Sequence, residues 1–162
     1  MIPLGLFSPS FSDAAPLEVG AEAPTVLTVN QHGEPVNLGK ELAEGISLVY
    51  FYPKADTPGC TKQACNLRDA FEEVKKAGIK VFGVSADSPE EQLAFAAKFS
   101  LPFTLLADKA GEVIAAFGVP ANDRGFASRQ SFLIKDGKVI WRDLKADPTT
   151  QAEDAIAAAK AD

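Results

Sequence analysis

The sequence contains very few of the residues that build metal centres and disulfide frameworks. Two cysteines, one histidine and one methionine are present among 162 residues. A structural zinc site needs four ligands, mostly cysteine and histidine, so this composition disfavours a metal site. Two cysteines are also too few for the disulfide framework of a small secreted domain. Sixteen basic residues stand against twenty-two acidic ones, and the net charge of −6 disfavours nucleic acid or an anionic membrane surface as a partner.

Long apolar runs are absent as well. No segment approaches the roughly 20 apolar residues of a membrane-spanning helix. The length and the 46% hydrophobic content suit one domain whose core needs no disulfide staples. We expect that domain over residues 17–162, after a flexible extension over residues 1–16 that lacks the basic start of a secretory signal. A cytoplasmic location is expected, with a periplasmic or exported form left open by the extension.

Strand-like and helix-like segments alternate after residue 20. Segments rich in β-branched and aromatic residues predict strands at 25–29, 35–38, 47–52, 80–85, 103–107, 131–135 and 138–144. The last two flank Asp136-Gly137, which predicts a tight hairpin turn between them. Helical spacing predicts helices at 60–77, 88–99 and 112–117, and a last one from 150. Capping boxes are predicted at the starts of two of them, from Ser88 to Glu91 and from Thr150 to Glu153. This order predicts an α/β fold, a mixed sheet with helices on both faces and a hairpin near the N-terminus.

Both cysteines fall in one short segment, residues 51–65, which joins a predicted strand to a predicted helix. Cys60 stands where the helix begins, so backbone N–H groups and the helix dipole would stabilise its thiolate. Cys65 follows five residues later, about 140° around the helix axis and about 7.5 Å along it. A disulfide needs closer, facing side chains, so the two cysteines can bond only after the helix unwinds.

The same segment resembles an active-site motif of a known family. Pro53, Thr57 and Cys60 are spaced as in the P-x-x-x-T-x-x-C motif of the peroxiredoxins, and TPGCTKQAC at 57–65 is similar to the peroxiredoxin Q subfamily, also called bacterioferritin comigratory protein. The segments 103–108, 117–119 and 129–134 resemble the family too, and the likeness begins near residue 17. It implies a thioredoxin-like fold, in agreement with the predicted order of elements.

The resemblance also implies roles for individual residues. Cys60 would be the peroxidatic cysteine, whose thiolate attacks a hydroperoxide and becomes a sulfenic acid. Thr57 would hold the peroxide and the thiolate through its hydroxyl, and Arg129 would stabilise the charge on both. Pro53 would form a wall of the pocket. Cys65 would be the resolving cysteine, condensing with the sulfenic acid to an intramolecular disulfide.

Further expectations about partners come from the same resemblance. The substrates would be hydrogen peroxide and organic hydroperoxides, thioredoxin or a similar dithiol would be the reductant, and no metal or organic cofactor would be needed. A monomer or a weak homodimer is expected. Two departures from the family pattern are a short, unusual segment at 120–128 and Ser131 in a position where threonine is common.

Other interpretations of these residues stay open at this point. Cys65 could be a surface thiol while an outside thiol resolves Cys60, and Thr57 could simply cap a turn. A redox-sensing interaction protein, in which oxidation of Cys60 melts the helix, is the alternative function. A disulfide isomerase or reductase is disfavoured because the sequence has no C-x-x-C motif.

Overall fold

A computed structural model describes residues 15–162 of the chain. The predicted extension, residues 1–16, therefore lies almost entirely outside the described residues, and its flexibility stays a prediction. At its end, the Pro16 and Leu17 carbonyls each accept a hydrogen bond from Arg142 Nη1, at 3.1 and 3.0 Å. Over residues 15–162, none of the helices has the length and apolar character needed to cross a membrane.

The secondary structure of the described residues closely follows the predicted order. The strands are β1 (Leu27–Val29), β2 (Pro35–Asn37), β3 (Ile46–Phe51), β4 (Ile79–Ser85), β5 (Thr104–Ala107), β6 (Gln130–Lys135) and β7 (Lys138–Asp143). The helices are α1 (Leu38–Leu42), α2 (Pro58–Asp69), α3 (Phe71–Lys76), α4 (Pro89–Phe99), α5 (Glu112–Ala116) and α6 (Gln151–Ala161).

Five of the strands form one mixed sheet in the order β5-β4-β3-β6-β7. β3 pairs in parallel with β4, and β4 with β5, while β6 is antiparallel to both β3 and β7. β1 and β2 form the predicted N-terminal hairpin. The predicted mixed sheet and hairpin are thus confirmed.

The central strand divides the protein into two hydrophobic cores, because alternate side chains of a strand point to opposite faces. Leu48, Tyr50 and Tyr52 lie in a core covered by α2, α3, α4 and α6. Val49 and Phe51 lie in the other core, which α1 and α5 cover. The sheet therefore holds the C-terminal end of β3, and the segment that follows it, between two packed layers.

Gly83 of β4 allows the ring of Tyr50 to lie across the neighbouring strand. The two residues are paired in the sheet, and a Cβ at position 83 would lie 2.8 Å from Tyr50 Cζ. The Tyr50 ring in turn stacks on Tyr52, with ring centroids 5.4 Å apart. These two rings form part of the buried floor beneath α2.

The hairpin between β6 and β7 forms at the predicted Asp-Gly turn. Asp136 and Gly137 both have positive φ, 48° and 82°. A two-residue turn with both φ values positive matches the right-handed twist of the strands, and it favours Asp-Gly.

Two helical regions differ from the sequence prediction. The predicted helix 60–77 begins earlier, at Pro58, and is divided into two helices. The division lies at Ala70, whose backbone leaves helical geometry (φ −98°, ψ 13°), and beyond it Phe71 packs against Phe103. Helix α1 was not predicted; Asn37 caps it and its two ends, Leu38 and Leu42, are fully buried.

The capping box predicted at the start of α6 is also wrong. Thr150 makes no capping hydrogen bond and donates instead to Asp154, at 2.8 Å. The backbone N–H of Ala152 donates to the carboxamide oxygen of Asn66 at 2.7 Å. A residue of α2 therefore caps the start of α6. By contrast, the predicted Ser88 box of α4 is present.

Candidate active site

The start of α2 brings Cys60 to the end of the central strand. Thr57 is the N-cap residue with extended backbone angles, Pro58 occupies the first helical position, and Cys60 lies in the first turn. Proline suits that position because its missing N–H has no partner in the helix there. Cys60 is 2% exposed and free. The thiol is therefore buried at the positive end of a twelve-residue helix, where a thiolate is favoured.

Arg129, which directly precedes β6, contacts the sulfur of Cys60. Its Nη2 lies 3.4 Å from Cys60 Sγ. A Cβ added to Gly59 would lie 3.0 Å from the same nitrogen, so the glycine leaves room for the guanidinium. A permanent cation at this distance stabilises a sulfur anion over the neutral thiol. The structure thus brings together two predicted site residues that are 69 positions apart.

A chain of buried amides holds Arg129 from behind. Arg129 Nη1 donates to the Gln63 side-chain oxygen at 2.6 Å, and Gln63 Nε2 donates to the Gln151 side-chain oxygen at 2.8 Å. The hydroxyl of Ser131 donates to the same Gln151 oxygen at 2.5 Å. All three of these neutral residues are buried. Buried polar side chains are stable only when they are hydrogen-bonded, and each of these side chains is hydrogen-bonded to the next.

On the other side of Cys60, residues 53–57 form the pocket loop, which is held by the buried carboxylate of Asp87. Asp87 Oδ2 accepts hydrogen bonds from the Ala55 N–H at 2.8 Å and the Ser85 hydroxyl at 2.5 Å. Lys54 Nζ lies 3.3 Å from Asp87 Oδ1, and this hydrogen bond raises the pKa of Lys54 above its usual value. The loop is thereby tied to the end of β4.

Two predicted site residues, Thr57 and Pro53, belong to the pocket loop. The Thr57 hydroxyl donates to the Lys54 carbonyl oxygen at 2.7 Å and makes no capping bond to the helix. With its proton used there, the Thr57 oxygen can take part in further hydrogen bonds only as an acceptor. Pro53 is half-buried at the start of the loop, close to the end of β3.

Tyr50 and Tyr52 lie beneath the site as neutral phenols. Burial raises the pKa of Tyr50 well above its usual value, with smaller contributions from Tyr52 and Cys60. Burial also raises the pKa of Tyr52, whose hydroxyl donates to Gln92 at 2.6 Å. Both phenols keep their protons at the pH at which a thiol ionises, so they add no negative charge beneath the Cys60 sulfur.

Cys65 lies on the same intact helix as Cys60, as predicted. It is free and half-buried, whereas Cys60 is buried. Because α2 runs unbroken from Pro58 to Asp69, the two cysteine side chains project about 140° apart around its axis and point in different directions. A bond between them requires the first turns of α2 to unwind.

Four residues of the site were not predicted from the sequence: Gln63, Gln151, Asp87 and Lys54. A signal was available for Gln63, which occupies the buried face of α2 three residues after Cys60 and four before Leu67. A polar residue on an apolar face is a candidate for a buried network. Asp87 follows the carboxyl end of β4, beside the end of its parallel partner β3, where ligand-binding residues of α/β folds collect. Gln151 gave no such signal.

The chain is similar to known proteins over most of its length. A family model described as the AhpC/TSA family matches residues 19–142. Peroxiredoxin Bcp of Escherichia coli K12 is 48% identical over 140 residues, which cover 80% of this chain and 88% of the relative. Chloroplastic peroxiredoxin Q of Sedum lineare is 43% identical over 122 residues, which cover 75% of this chain and 65% of the relative.

A solved structure has the same fold. The crystal structure of peroxidoxin BcpB from Mycobacterium tuberculosis superposes with a TM-score of 0.84 at 32% identity, covering 90% of this chain and 97% of that one. This chain spans 65% of the length of the Sedum lineare relative and 59% of a second chloroplastic peroxiredoxin Q, which is less than two thirds of each. It spans 88% of the length of the bacterial relative. The match over residues 19–142 and the 48% identity to the bacterial relative show that the chain belongs to the AhpC/TSA family and, within it, to the peroxiredoxins of the Q and Bcp type.

Proposed function

We propose that this protein is a thiol peroxidase that reduces hydrogen peroxide and organic hydroperoxides with Cys60. The observation that carries the proposal is the contact between Arg129 Nη2 and Cys60 Sγ at the N-terminus of α2. It combines a buried sulfur, a permanent cation and a helix dipole in one place. Membership of the peroxiredoxins supports the same activity.

The first chemical step uses the thiolate as the nucleophile. The Cys60 sulfur attacks one oxygen of the hydroperoxide, the O–O bond breaks, and the leaving oxygen takes a proton and departs as water or alcohol. The cysteine becomes a sulfenic acid. Arg129 stabilises the negative charge as it moves from sulfur to the leaving oxygen. The Thr57 oxygen, whose proton is bonded to the Lys54 carbonyl, accepts the hydrogen bond of the peroxide. Pro53 limits access at the mouth of the site.

The second step uses Cys65 as the resolving cysteine. Its thiolate attacks the sulfenic sulfur of Cys60, water leaves, and an intramolecular disulfide forms. Since the two side chains diverge on the intact helix, α2 unwinds before this step and reforms after reduction. The half-buried position of Cys65 allows it to leave the helix surface without breaking the central core.

The cycle closes when an external dithiol reduces the disulfide. We infer a thioredoxin-type reductant, because the oxidised pair becomes accessible when α2 unwinds and thiol–disulfide exchange requires access to a sulfur. Each turnover then converts one hydroperoxide and one reduced dithiol into one alcohol, one water and one oxidised dithiol, or into two waters and the oxidised dithiol when the substrate is hydrogen peroxide.

The experiment compares peroxide consumption by the native protein with that by Cys60→Ser and Cys65→Ser variants, using thioredoxin with its reductase as the electron source. We expect no turnover from Cys60→Ser. Cys65→Ser should consume one equivalent of peroxide, form a stable sulfenic acid and turn over poorly with thioredoxin. Dithiothreitol, a small reductant that reaches a sulfenic acid directly, serves as the control that the Cys65→Ser protein is folded and active.

Two outcomes would overturn parts of the proposal separately. Rapid peroxide consumption by Cys60→Ser would refute Cys60 as the reacting residue. Normal thioredoxin-linked turnover by Cys65→Ser would leave the peroxidase activity in place and remove the resolving role. A redox-sensing function without turnover would appear as a single equivalent of peroxide consumed by the native protein in the presence of every reductant tested.

A further inference from the structure

Three buried neutral residues, Gln63, Ser131 and Gln151, connect the site to the first residue of the C-terminal helix. Gln151 is 1% exposed, and Gln63 and Ser131 are fully buried. They come from α2, β6 and the start of α6, and among these three described residues only Gln63 is hydrogen-bonded to the guanidinium of Arg129. Gln151 lies behind Gln63, out of contact with Arg129 in the hydrogen-bond pattern of the described residues.

The orientation of these amides follows from the chemistry of Arg129. A guanidinium has only donors, so Gln63 must present its carboxamide oxygen to Arg129. Its NH₂ group then points the other way and needs an acceptor, which the Gln151 oxygen supplies at 2.8 Å. The Ser131 hydroxyl, donating to the same oxygen at 2.5 Å, holds the Gln151 carboxamide in place.

We propose that Gln151 is a positioning residue for the reaction of Cys60, acting through Gln63 on the guanidinium of Arg129. Gln151 accepts from the Gln63 NH₂ group and so holds in place the carboxamide whose oxygen holds Arg129 against the Cys60 sulfur. Without the Gln151 oxygen, the buried Gln63 NH₂ group has lost its acceptor, and the Gln63 carboxamide can shift away from the guanidinium to find another one. This inference rests on the proposed roles of Cys60 and Arg129.

The test uses the full chain in a Cys65→Ser background, so that Cys60 is its only thiol. Gln151→Leu removes the acceptor at similar size. Gln151→Glu keeps two acceptor oxygens for Gln63 and Ser131, and it places a negative charge at a helix N-terminus, where charge of that sign is favourable. Asn66→Ala is the matched control, since it removes a different contact between α2 and α6 that does not lead to Arg129.

Two readouts report on the sulfur rather than on stability: the rate of Cys60 alkylation by iodoacetamide across pH 4–10, and the second-order rate of its reaction with hydrogen peroxide. The ionisable groups near Cys60, namely Arg129, Tyr50 and Tyr52, are the same in all three variants. Only Gln151→Glu adds a new ionisable group, so its peroxide rate, and not its alkylation midpoint, is compared with that of Gln151→Leu. Circular dichroism checks that each variant is folded.

We expect Gln151→Leu to shift the midpoint of the alkylation profile to higher pH and to slow the peroxide reaction about tenfold, less than the hundredfold or more typical of losing a direct transition-state donor. Gln151→Glu should restore most of the rate, and Asn66→Ala should leave the midpoint unchanged. If Gln151→Leu does not fold, Ser131→Ala, which frees the Gln151 carboxamide, should produce a smaller shift in the same direction.

The outcomes separate this inference from the proposed function. A folded Gln151→Leu protein with an unchanged midpoint and peroxide rate would refute the positioning role while leaving Cys60 reactive. An equal shift in Asn66→Ala would also refute it, because general loosening of α6 would then explain the effect. A parent Cys65→Ser protein that does not react with peroxide would instead overturn the proposed function itself.

Discussion

The two segments that flank Cys60 are held in place by different kinds of contact. The pocket loop before it is tied down by charge: the buried carboxylate of Asp87 accepts from the Ala55 N–H and from Ser85, and it faces Lys54. Helix α2 after it is held to the start of α6 mainly by two neutral carboxamides, those of Gln63 and Asn66. The segment before Cys60 therefore has a charged anchor, the Asp87 carboxylate, and the segment after it has an uncharged anchor, the Gln63 and Asn66 carboxamides.

This difference indicates which segment can move. Removing one partner of a buried charge leaves an uncompensated charge or an unsatisfied donor, so the pocket loop is costly to release. The loop also holds Asp56 at a positive φ of 60°, a conformation that persists only when its surroundings enforce it. The neutral contacts of α2 can exchange for water at lower cost, about 1 kcal/mol each. We therefore expect a rigid pocket loop and a helix that unwinds.

The largest effect should come from Asp87→Ala. The change leaves the buried Ala55 N–H and the Ser85 hydroxyl without their acceptor. We expect a loss of about 3 kcal/mol in the free energy of unfolding, measured by urea denaturation, together with a slower peroxide reaction. Asp87→Asn, which keeps one acceptor oxygen, should lose less. A loss below about 1 kcal/mol for Asp87→Ala would show that the charged anchor is not the stronger one.

The sequence predicted the residues that form a contiguous motif, but it did not predict what supports them. Cys60 was predicted because a strand, a turn and a helix start are all visible in a short stretch of chain. Gln63 and Gln151 are 88 positions apart, and nothing in either local sequence indicates the other. Their contact exists only because β6 and α6 bring the chain back beside α2. Arg129 was found through family resemblance rather than through any local pattern.

The fold shows the same division between local and distant causes. The β6–β7 hairpin was predicted because Asp136 and Gly137 favour one turn type on their own. The start of α6 was predicted with the wrong cap, because its Ala152 N–H is bonded by Asn66 from another helix. Local patterns compete with such tertiary contacts, and the sequence displays only the local ones.

An intermediate effect is expected from Asn66→Ala, which weakens the uncharged anchor. The change removes the acceptor for the Ala152 N–H and the donor to the Thr149 carbonyl. We expect about 1 kcal/mol of lost stability, comparable to the loss of a helix cap. Because that energy also opposes the unwinding of α2, disulfide formation after peroxide addition should become up to about fivefold faster.

Acid quenching and mass spectrometry of the Asn66→Ala protein would measure the disulfide rate, with the rate of sulfenic acid formation as the internal control. The first step should be unchanged, because Asn66 does not contact Cys60 or Arg129 in the hydrogen-bond pattern of residues 15–162. Slower disulfide formation would contradict the prediction that α2, and not the pocket loop, unwinds before the disulfide forms.

The smallest effect should come from Glu91→Gln, at the exposed edge of the charged anchor. Hydrogen bonds from the backbone and side chain of Ser88 lower the pKa of Glu91, and Lys54 at 3.5 Å adds to this. The pKa of Glu91 is thus lower in the folded protein than in the unfolded chain, where it is near 4.5. The ionised Glu91 therefore stabilises the fold above pH 4.5, and this stabilisation is lost as the pH falls through the folded-state pKa. The Glu91 side chain is 53% exposed, so we expect only about 0.3 kcal/mol between the two proteins at pH 7, and a smaller difference at pH 3. Urea denaturation at both pH values measures the difference. If Glu91→Gln lost as much stability as Asp87→Ala, the exposed Glu91 carboxylate would hold the pocket loop as strongly as the buried Asp87 carboxylate, which would contradict this ranking.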